Sequence, residues 1–320
     1  MTDPNIALIL GATGGFGGEM ARALLTAGWQ VRGLARNPAK IRRPIPGIEW
    51  LQGDAINPRD VMAAAEGATL IVHGVNPPGY RNWRGLALPM LENTIMAAGT
   101  SGARIFFPGT VYNYGPDSFP LVSEDAPQHP QTRKGAIRVE METALRAAAA
   151  QGTRVLILRA GDWFGPDTTA NSWFNAGVVK PGQPLKSVVY PGEPAVGHAW
   201  AYLPDVARTA IRLIERDADL PNFAVFHFGG HWFEHGIEIA EAVRAAAGNP
   251  RLPIRRFPWW LVKTAAPFAE TFREIIEMTY LWRQPLRLDN RRLVAFLGDE
   301  PHTPTVEAVR ASLQGLGCLG

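Results

Sequence analysis

The stretch I6-A-L-I-L-G11-A-T13-G14-G15-F16-G17-G18 decides the fold. Five apolar residues run straight into a glycine turn. Gly18–Gly28 (GEMARALLTAG) then carries helical spacing and good helix formers, with Gly28 as its stop. Glycines at 11, 14 and 17 omit the Cβ where backbone must approach a bulky ligand closely. The start of the following helix adds unpaired N–H groups and about half a positive charge. A glycine string alone is a weak signal. Set between a buried strand and a helix, it predicts a turn that cradles a pyrophosphate, built from Gly11, Thr13, Gly14, Gly15, Phe16 and Gly17.

Working outward, strand-like runs recur at Gln30–Ala35, before LQGDA (residues 51–55), and at Thr69–Val75, Arg104–Phe107 and Val155–Leu158. Helical runs fall between them at Pro58–Glu66, Leu86–Ala98 and Arg138–Ala150. This alternation predicts an α/β fold, a doubly wound parallel sheet of Rossmann type with helices on both faces. After Gly165 the texture changes. Residues 167–197 are rich in proline, glycine and aromatics and show no period. Helices are expected at Pro204–Arg216, Ile237–Ala247, Glu270–Tyr280 and Thr305–Leu313, and Ala224–Phe228 as a strand returning to the sheet. Residues 1–165, with 200–230 returning, are therefore expected to form the dinucleotide domain. Residues 166–199 and 231–320 would form a smaller substrate lobe.

Composition narrows the function classes. Apolar residues make up 46% of the 320 and charged residues 19%, as in a globular protein able to bury a sizeable core. The formal charge is +3, and the basic residues are scattered in pairs such as Arg42-Arg43 and Arg291-Arg292, so nucleic acid is not an expected partner. One cysteine, Cys318, excludes an internal disulfide and a thiolate metal cage. No apolar run nears the roughly 20 residues of a membrane span, and MTDPNIALIL has no basic leader region. A cytoplasmic protein with a small-molecule substrate is expected.

The second strand ends at VRGLA-R36-N. A site selective for NAD places an acid here to accept from the ribose 2′-hydroxyl. Arg36 instead offers a planar fork that matches a 2′-phosphate, which predicts NADP, with NAD as the second option. Asp54 and Ala55 follow the third strand, where the adenine edge is expected. Gly74, Val75 and Asn76 follow the fourth on the same rim.

These residues resemble the extended short-chain dehydrogenase/reductase family, which includes nucleotide-sugar epimerases and dehydratases. The resemblance runs through the G11-A-T-G14-G-F-G17 loop, D54-A, FFPG-T110-VYNYG, RAGDWFGP and the late PLRLDNRRLVAFLG segment. It implies a homodimer through two helices of the dinucleotide domain. Thr110 falls where the family places its serine or threonine hydroxyl. The family's Tyr-x-x-x-Lys motif is missing: aligning Glu142 with the family's helix glutamate puts Lys134 at the tyrosine and Arg138 at the lysine. The same R133-K134-G-A-I-R138 stretch is similar to the helix start of isoflavone-reductase and NmrA-like members, whose reductase branch uses a lysine here as acid/base with NADPH.

On that resemblance the catalytic set is Lys134 as proton donor, Thr110 as ligand to the substrate oxygen, Arg138 as ribose clamp and Tyr112 as substitute hydroxyl. An unperturbed lysine, pKa about 10.4, is protonated at pH 7 and can donate as hydride arrives. The expected function is an NADP-dependent oxidoreductase reducing a small organic carbonyl. The alternatives are a sugar-nucleotide epimerase or dehydratase with replaced catalytic residues, and a non-catalytic NADP sensor.

Other signals are weaker. H231-W-F-E234-H235 spells a zinc-peptidase string, but glycines bracket it and it reads as loop near the substrate pocket, so no metal is expected. His73, ending a strand, reads as a core histidine. Trp163, Phe164, Trp173, Phe174, Trp200, Tyr202 and Trp259-Trp260 either wall the substrate or fill the lobe's core. In FREIIEMTYLW, Phe272, Ile275, Ile276 and Thr279 share one face and read as core or dimer contact.

Overall fold

A computed structural model of the chain describes residues 5–77, 82–168 and 172–319. Its first half alternates strand and helix: β1 (Ile6–Leu10), α1 (Gly15–Thr26), β2 (Gln30–Ala35), β3 (Ile48–Gln52), α2 (Pro58–Ala64), β4 (Leu70–His73), α3 (Trp83–Ser101), β5 (Arg104–Gly109), the short β6 (Leu121–Val122), α4 (Arg133–Ala150) and β7 (Arg154–Arg159). The second half interleaves β8 (Asp162–Phe164), β9 (Val188–Tyr190), β10 (His198–Tyr202), α5 (Leu203–Glu215), β11 (Phe223–His227), β12 (His231–Phe233), α6 (Glu238–Ala246) and β13 (Ile254–Arg256). It closes with α7 (Trp259–Ala265), α8 (Glu270–Glu277), β14 (Arg287–Leu288), α9 (Arg291–Leu297) and α10 (Thr305–Gly315).

Seven strands form one parallel sheet in the order β11-β7-β5-β4-β1-β2-β3. Leu10 lies opposite Leu34 on one side and His73 on the other. The strands are apolar on both faces, as burial from two sides demands. On one face Met20, Leu24, Val206, Ala210 and Leu213 bring α1 and α5 onto the sheet. On the other, Val61, Leu91, Ile137 and Leu145 do so for α2, α3 and α4. Each such buried leucine, isoleucine, valine or methionine contributes about 1.5–3 kcal/mol. Winding reverses between β1 and β4, and at that reversal the strand ends leave a crevice.

Two boundaries differ from the sequence reading in ways that matter for the site. Helix α1 begins at Gly15 rather than Gly18, because the glycines of its first turn fit against the loop below. Helix α4 begins at Arg133 rather than Arg138, because the Thr132 hydroxyl accepts the Gly135 N–H at 2.9 Å and caps it. Both Lys134 and Arg138 therefore ride one rigid helix.

The second half packs around its own cluster of Phe164, Phe174, Trp200, Tyr202, Ile239, Trp282 and Val309. Most aromatics left open between wall and core thus belong to core. β10 pairs in parallel with β8 and antiparallel with β12. His231 stands in β12, a strand rather than a loop. Of the two roles read for the apolar face of residues 270–280, core and dimer contact, the core role fails at Phe272. Within α8 the buried residue is Glu274, while Phe272 is exposed, because a buried lysine on α4 calls for a carboxylate opposite it. Among the described residues, no helix is long and apolar enough to cross a membrane.

Candidate functional site

The turn after β1 is fixed by close backbone approach. Gly11 has φ +89°, and a Cβ there would lie 2.6 Å from the Gly74 carbonyl oxygen beyond β4. A Cβ on Gly17 would strike the Gly11 carbonyl oxygen. The Gly14 N–H donates to Gly11 O at 2.9 Å, and α1 starts with no side-chain cap and no acid in its first turn. Its N–H groups and positive end are left for a ligand.

A cleft of about 1190 Å³ opens over this turn. Gly11, Thr13, Gly14, Gly15 and Phe16 line it, as do Asp54, Ala55, Gly74, Val75 and Asn76; Gly17 lies beneath as the spacer. The Ile56 N–H donates to Asp54 Oδ1 at 3.2 Å, which orients that carboxylate. Asn93 Nδ2 donates to Ala55 O at 2.9 Å from α3 and ties down the same loop. At this end Arg36, Lys40, Arg42 and Arg43 all border the cleft and are exposed. Among the described residues, none of these four makes a salt bridge. The sequence reading found Arg36 and missed the other three. Their spacing along a loop has no period to betray them.

At the other end stand Thr110, Tyr112 and Arg138. Thr110 Oγ1 accepts the Tyr112 N–H and donates to Asn113 Oδ1, both at 3.3 Å. Asn113 Nδ2 donates to Gln128 Oε1 at 3.2 Å, and Gln128 Nε2 donates to Glu142 Oε2 at 3.0 Å. Glu142 is ion-paired with Arg159, both buried, and Arg159 donates onward to the Tyr114 hydroxyl. The cleft hydroxyl thus hangs on a buried polar network that spans α4 and the end of β7. Arg138 lies over the rings of Trp83 and Phe107, 5.2 and 5.3 Å from their centroids, and donates to Pro108 O at 3.4 Å. Beneath it, burial and then the Arg138 charge push His73 down to about 3, so its ring is neutral. Its Nδ1 donates to Thr94 Oγ1 at 2.8 Å.

Lys134 goes elsewhere. It does not line the cleft; its Nζ turns toward α8, donates to Glu274 O at 3.3 Å and lies 3.8 Å from Glu274 Oε2. Burial lowers it to about 8, with Glu274 opposing; the neighbouring cation acting on it is Arg133, not Arg138. Of the expected set, Thr110, Tyr112 and Arg138 border the cleft and Lys134 does not. Asp162, at the start of β8, borders it too, and sequence reading did not single it out. It meets His198 Nε2 at 2.8 Å. The His198 ring stacks on Trp282 at 4.0 Å and 7°. Only pairing of β8 with β10 reveals this contact, and no local spacing encodes it. Trp163 also faces the cleft, stacked on Phe16 at 5.0 Å; residues 169–171 of the same loop lie outside the described residues.

Known proteins share this fold. A profile described as the NAD dependent epimerase/dehydratase family matches residues 7–229. Uncharacterized protein y4nL of Sinorhizobium fredii (strain NBRC 101917 / NGR234) is 27% identical over 199 residues, 56% of each chain, so the match spans about half of that relative's length. Among solved structures, a putative epimerase from Burkholderia cenocepacia J2315 is 18% identical with a TM-score of 0.75, covering 98% of this chain and 99% of that one. UDP-glucose 4-epimerase of Thermus thermophilus, complexed with NAD, is 20% identical with a TM-score of 0.74, covering 97% and 98%. At these identities the structures show a shared fold.

Proposed function

Because the chain belongs to the NAD-dependent epimerase/dehydratase family, we propose that it is an oxidoreductase that uses a nicotinamide dinucleotide, NADP in preference to NAD, to reduce a small organic carbonyl. The observation that carries this reading is the polarity of the cleft. Four cations, without acidic partners among the described residues, border one end, and two hydroxyls with a fixed guanidinium border the other. Gly11, Gly17 and Gly74 let the turn, α1 and the end of β4 pack at distances a Cβ would block, which sets the start of α1 at the floor of the cleft, where its free N–H groups suit a phosphate. When bound, the dinucleotide supplies the hydride.

The chain's own residues do the rest. Arg36, with Lys40, Arg42 and Arg43 nearby, offers charge-assisted bonds to a 2′-phosphate, each worth about 1.5–3 kcal/mol or roughly tenfold to a hundredfold in affinity. Arg138, stacked and always charged, holds the ribose end. Thr110 Oγ1 and the Tyr112 hydroxyl meet the substrate oxygen. The proton is drawn from groups that border the same cleft, among them Asp162, which lies 2.8 Å from His198 Nε2. Lys134 ties α4 to α8 through Glu274.

Dissociation constants for NADPH and NADH, with and without Arg36→Ala, test the cofactor reading. NADPH should bind the wild-type protein more tightly by roughly tenfold or more, and Arg36→Ala should erase most of that margin. Equal affinities in the wild type would remove it. NADPH oxidation with a panel of aldehydes and ketones tests the reaction. Conversion of a sugar nucleotide in the presence of NAD⁺, without any carbonyl reduction, would favour the epimerase reading, which family membership also supports.

A further inference from the structure

Away from the cleft, the start of α5, strand β12 and the segment before α10 converge. Asp205, His231 and His302 each bring one ligand atom to this point, all within 4.8 Å of one another. None of the three lines the cleft. We propose that they form a mononuclear site for a first-row transition dication of the zinc class.

The donor set is the first argument. Two imidazole nitrogens and one carboxylate suit such an ion, whereas magnesium and calcium prefer oxygen alone. The second argument is an orphaned atom. His231 is buried, its Nδ1 lies 3.1 Å from Thr305 Oγ1, and its Nε2 has no hydrogen-bond partner among the described residues. A buried ring nitrogen left this way is costly, and a metal is a partner it can take. With the proton on Nδ1 and directed at Thr305, Nε2 presents its lone pair, the arrangement that a hydrogen bond on the far nitrogen imposes on ligating histidines.

Asp205 is fully buried and held. The Thr303 N–H donates to its Oδ2 at 2.6 Å, the Thr303 hydroxyl donates to its Oδ1 at 2.8 Å, and Arg208 pairs with Oδ1. A carboxylate has about four lone-pair positions, so one remains. His302 is exposed, its ring centroid 4.4 Å from that of His231 with the planes tilted by 39°, and gives the ion a way in. Bonds of about 2.0–2.2 Å ask for ligand atoms roughly 3–3.5 Å apart, so a contraction of about an ångström completes the site. Arg208 opposes a cation here. Its side chain is more than half exposed and can turn outward. The zinc-peptidase string supplies only its first histidine, since Glu234 and His235 are exposed and outside the cluster.

The chelator-stripped full-length protein, titrated with Zn²⁺ and separately with Co²⁺, tests the site. One equivalent should bind, Co²⁺ should develop visible ligand-field bands, and Mg²⁺ should do neither. His302→Ala, at an exposed position, should weaken Co²⁺ binding at least tenfold, while Arg208→Met should tighten it and His235→Ala should leave it unchanged. Failure of the wild-type protein to take up Zn²⁺ or Co²⁺ at 100 μM ion would overturn the proposal (a concentration set by roughly 10⁻⁴ M as a weak-binding limit). Undiminished binding by His302→Ala would do the same. Neither readout depends on turnover, so this site and the cleft stand or fall separately.

Discussion

Replacing Lys134 by methionine should change how stability depends on pH. The side chain is 3% exposed, and burial lowers its pKa from 10.5 to about 8 although Glu274 opposes the shift. The folded protein therefore holds this proton less tightly than the unfolded chain. Below pH 8 both states are protonated and the fold bears the whole cost of a buried ammonium. Between 8 and 10.5 the folded state loses the proton first, so stability rises with pH; above 10.5 the cost is gone. At about 1.36 kcal/mol per pH unit, the interval from about 8 to 10.5 amounts to about 3 kcal/mol. Methionine removes the charge and forfeits a hydrogen bond worth about 1 kcal/mol. Glu274 is not stranded, because Arg133 Nη2 stays 3.0 Å from its Oε1. Lys134→Met should thus be about 2 kcal/mol more stable than wild type at pH 7, an advantage that vanishes and reverses by pH 10.5. Urea denaturation of both proteins from pH 7 to 10.5 reads this directly, and other titrating groups cancel in the difference. A stability difference independent of pH would refute the reasoning.

Two further substitutions probe the frame of the site. Gly17→Ala places a methyl against the Gly11 carbonyl; thermal denaturation should show a loss of about 1–3 kcal/mol, and dinucleotide binding should collapse with it. Wild-type binding in that variant would mean the turn need not be so tight. Glu142→Gln strips the partner from Arg159, a guanidinium only 1% exposed, and chemical denaturation should report a loss of about 3–5 kcal/mol. A loss below about 1 kcal/mol would show that the Tyr114 hydroxyl and His227 Nε2, which lie 2.5 and 3.1 Å from Arg159 Nη1, suffice to hold that charge.

The parts of the fold that are legible in the sequence are those encoded locally. The β1–glycine–α1 unit announces itself, because strand, turn and helix all lie within residues 6–26. Strand β11 is legible for the same reason, as a short apolar run bounded by turn residues. The pieces that escape are set by distant partners. β8 and β10 are each too short to show a period, and they exist by pairing with one another. Asp162 gains its histidine only through that pairing. Lys134 is the opposite case. Its position in the sequence fits a chemical role, but the helix rotates its amine toward Glu274 from a segment 140 residues away. No local pattern records which side of α4 another helix will cover.

Strand β11 constrains how the molecule can be made and divided. It docks on β7 along Val155–Arg159, so the sheet that carries the glycine turn stays one strand short until residue 227 has been synthesised. Until then the nascent β7 presents a bare row of amides and carbonyls, a ready template for a neighbouring chain. No single cleavage of the polypeptide yields two sealed pieces. An evolutionary exchange of the later half would have to carry this strand across or find another to close the edge.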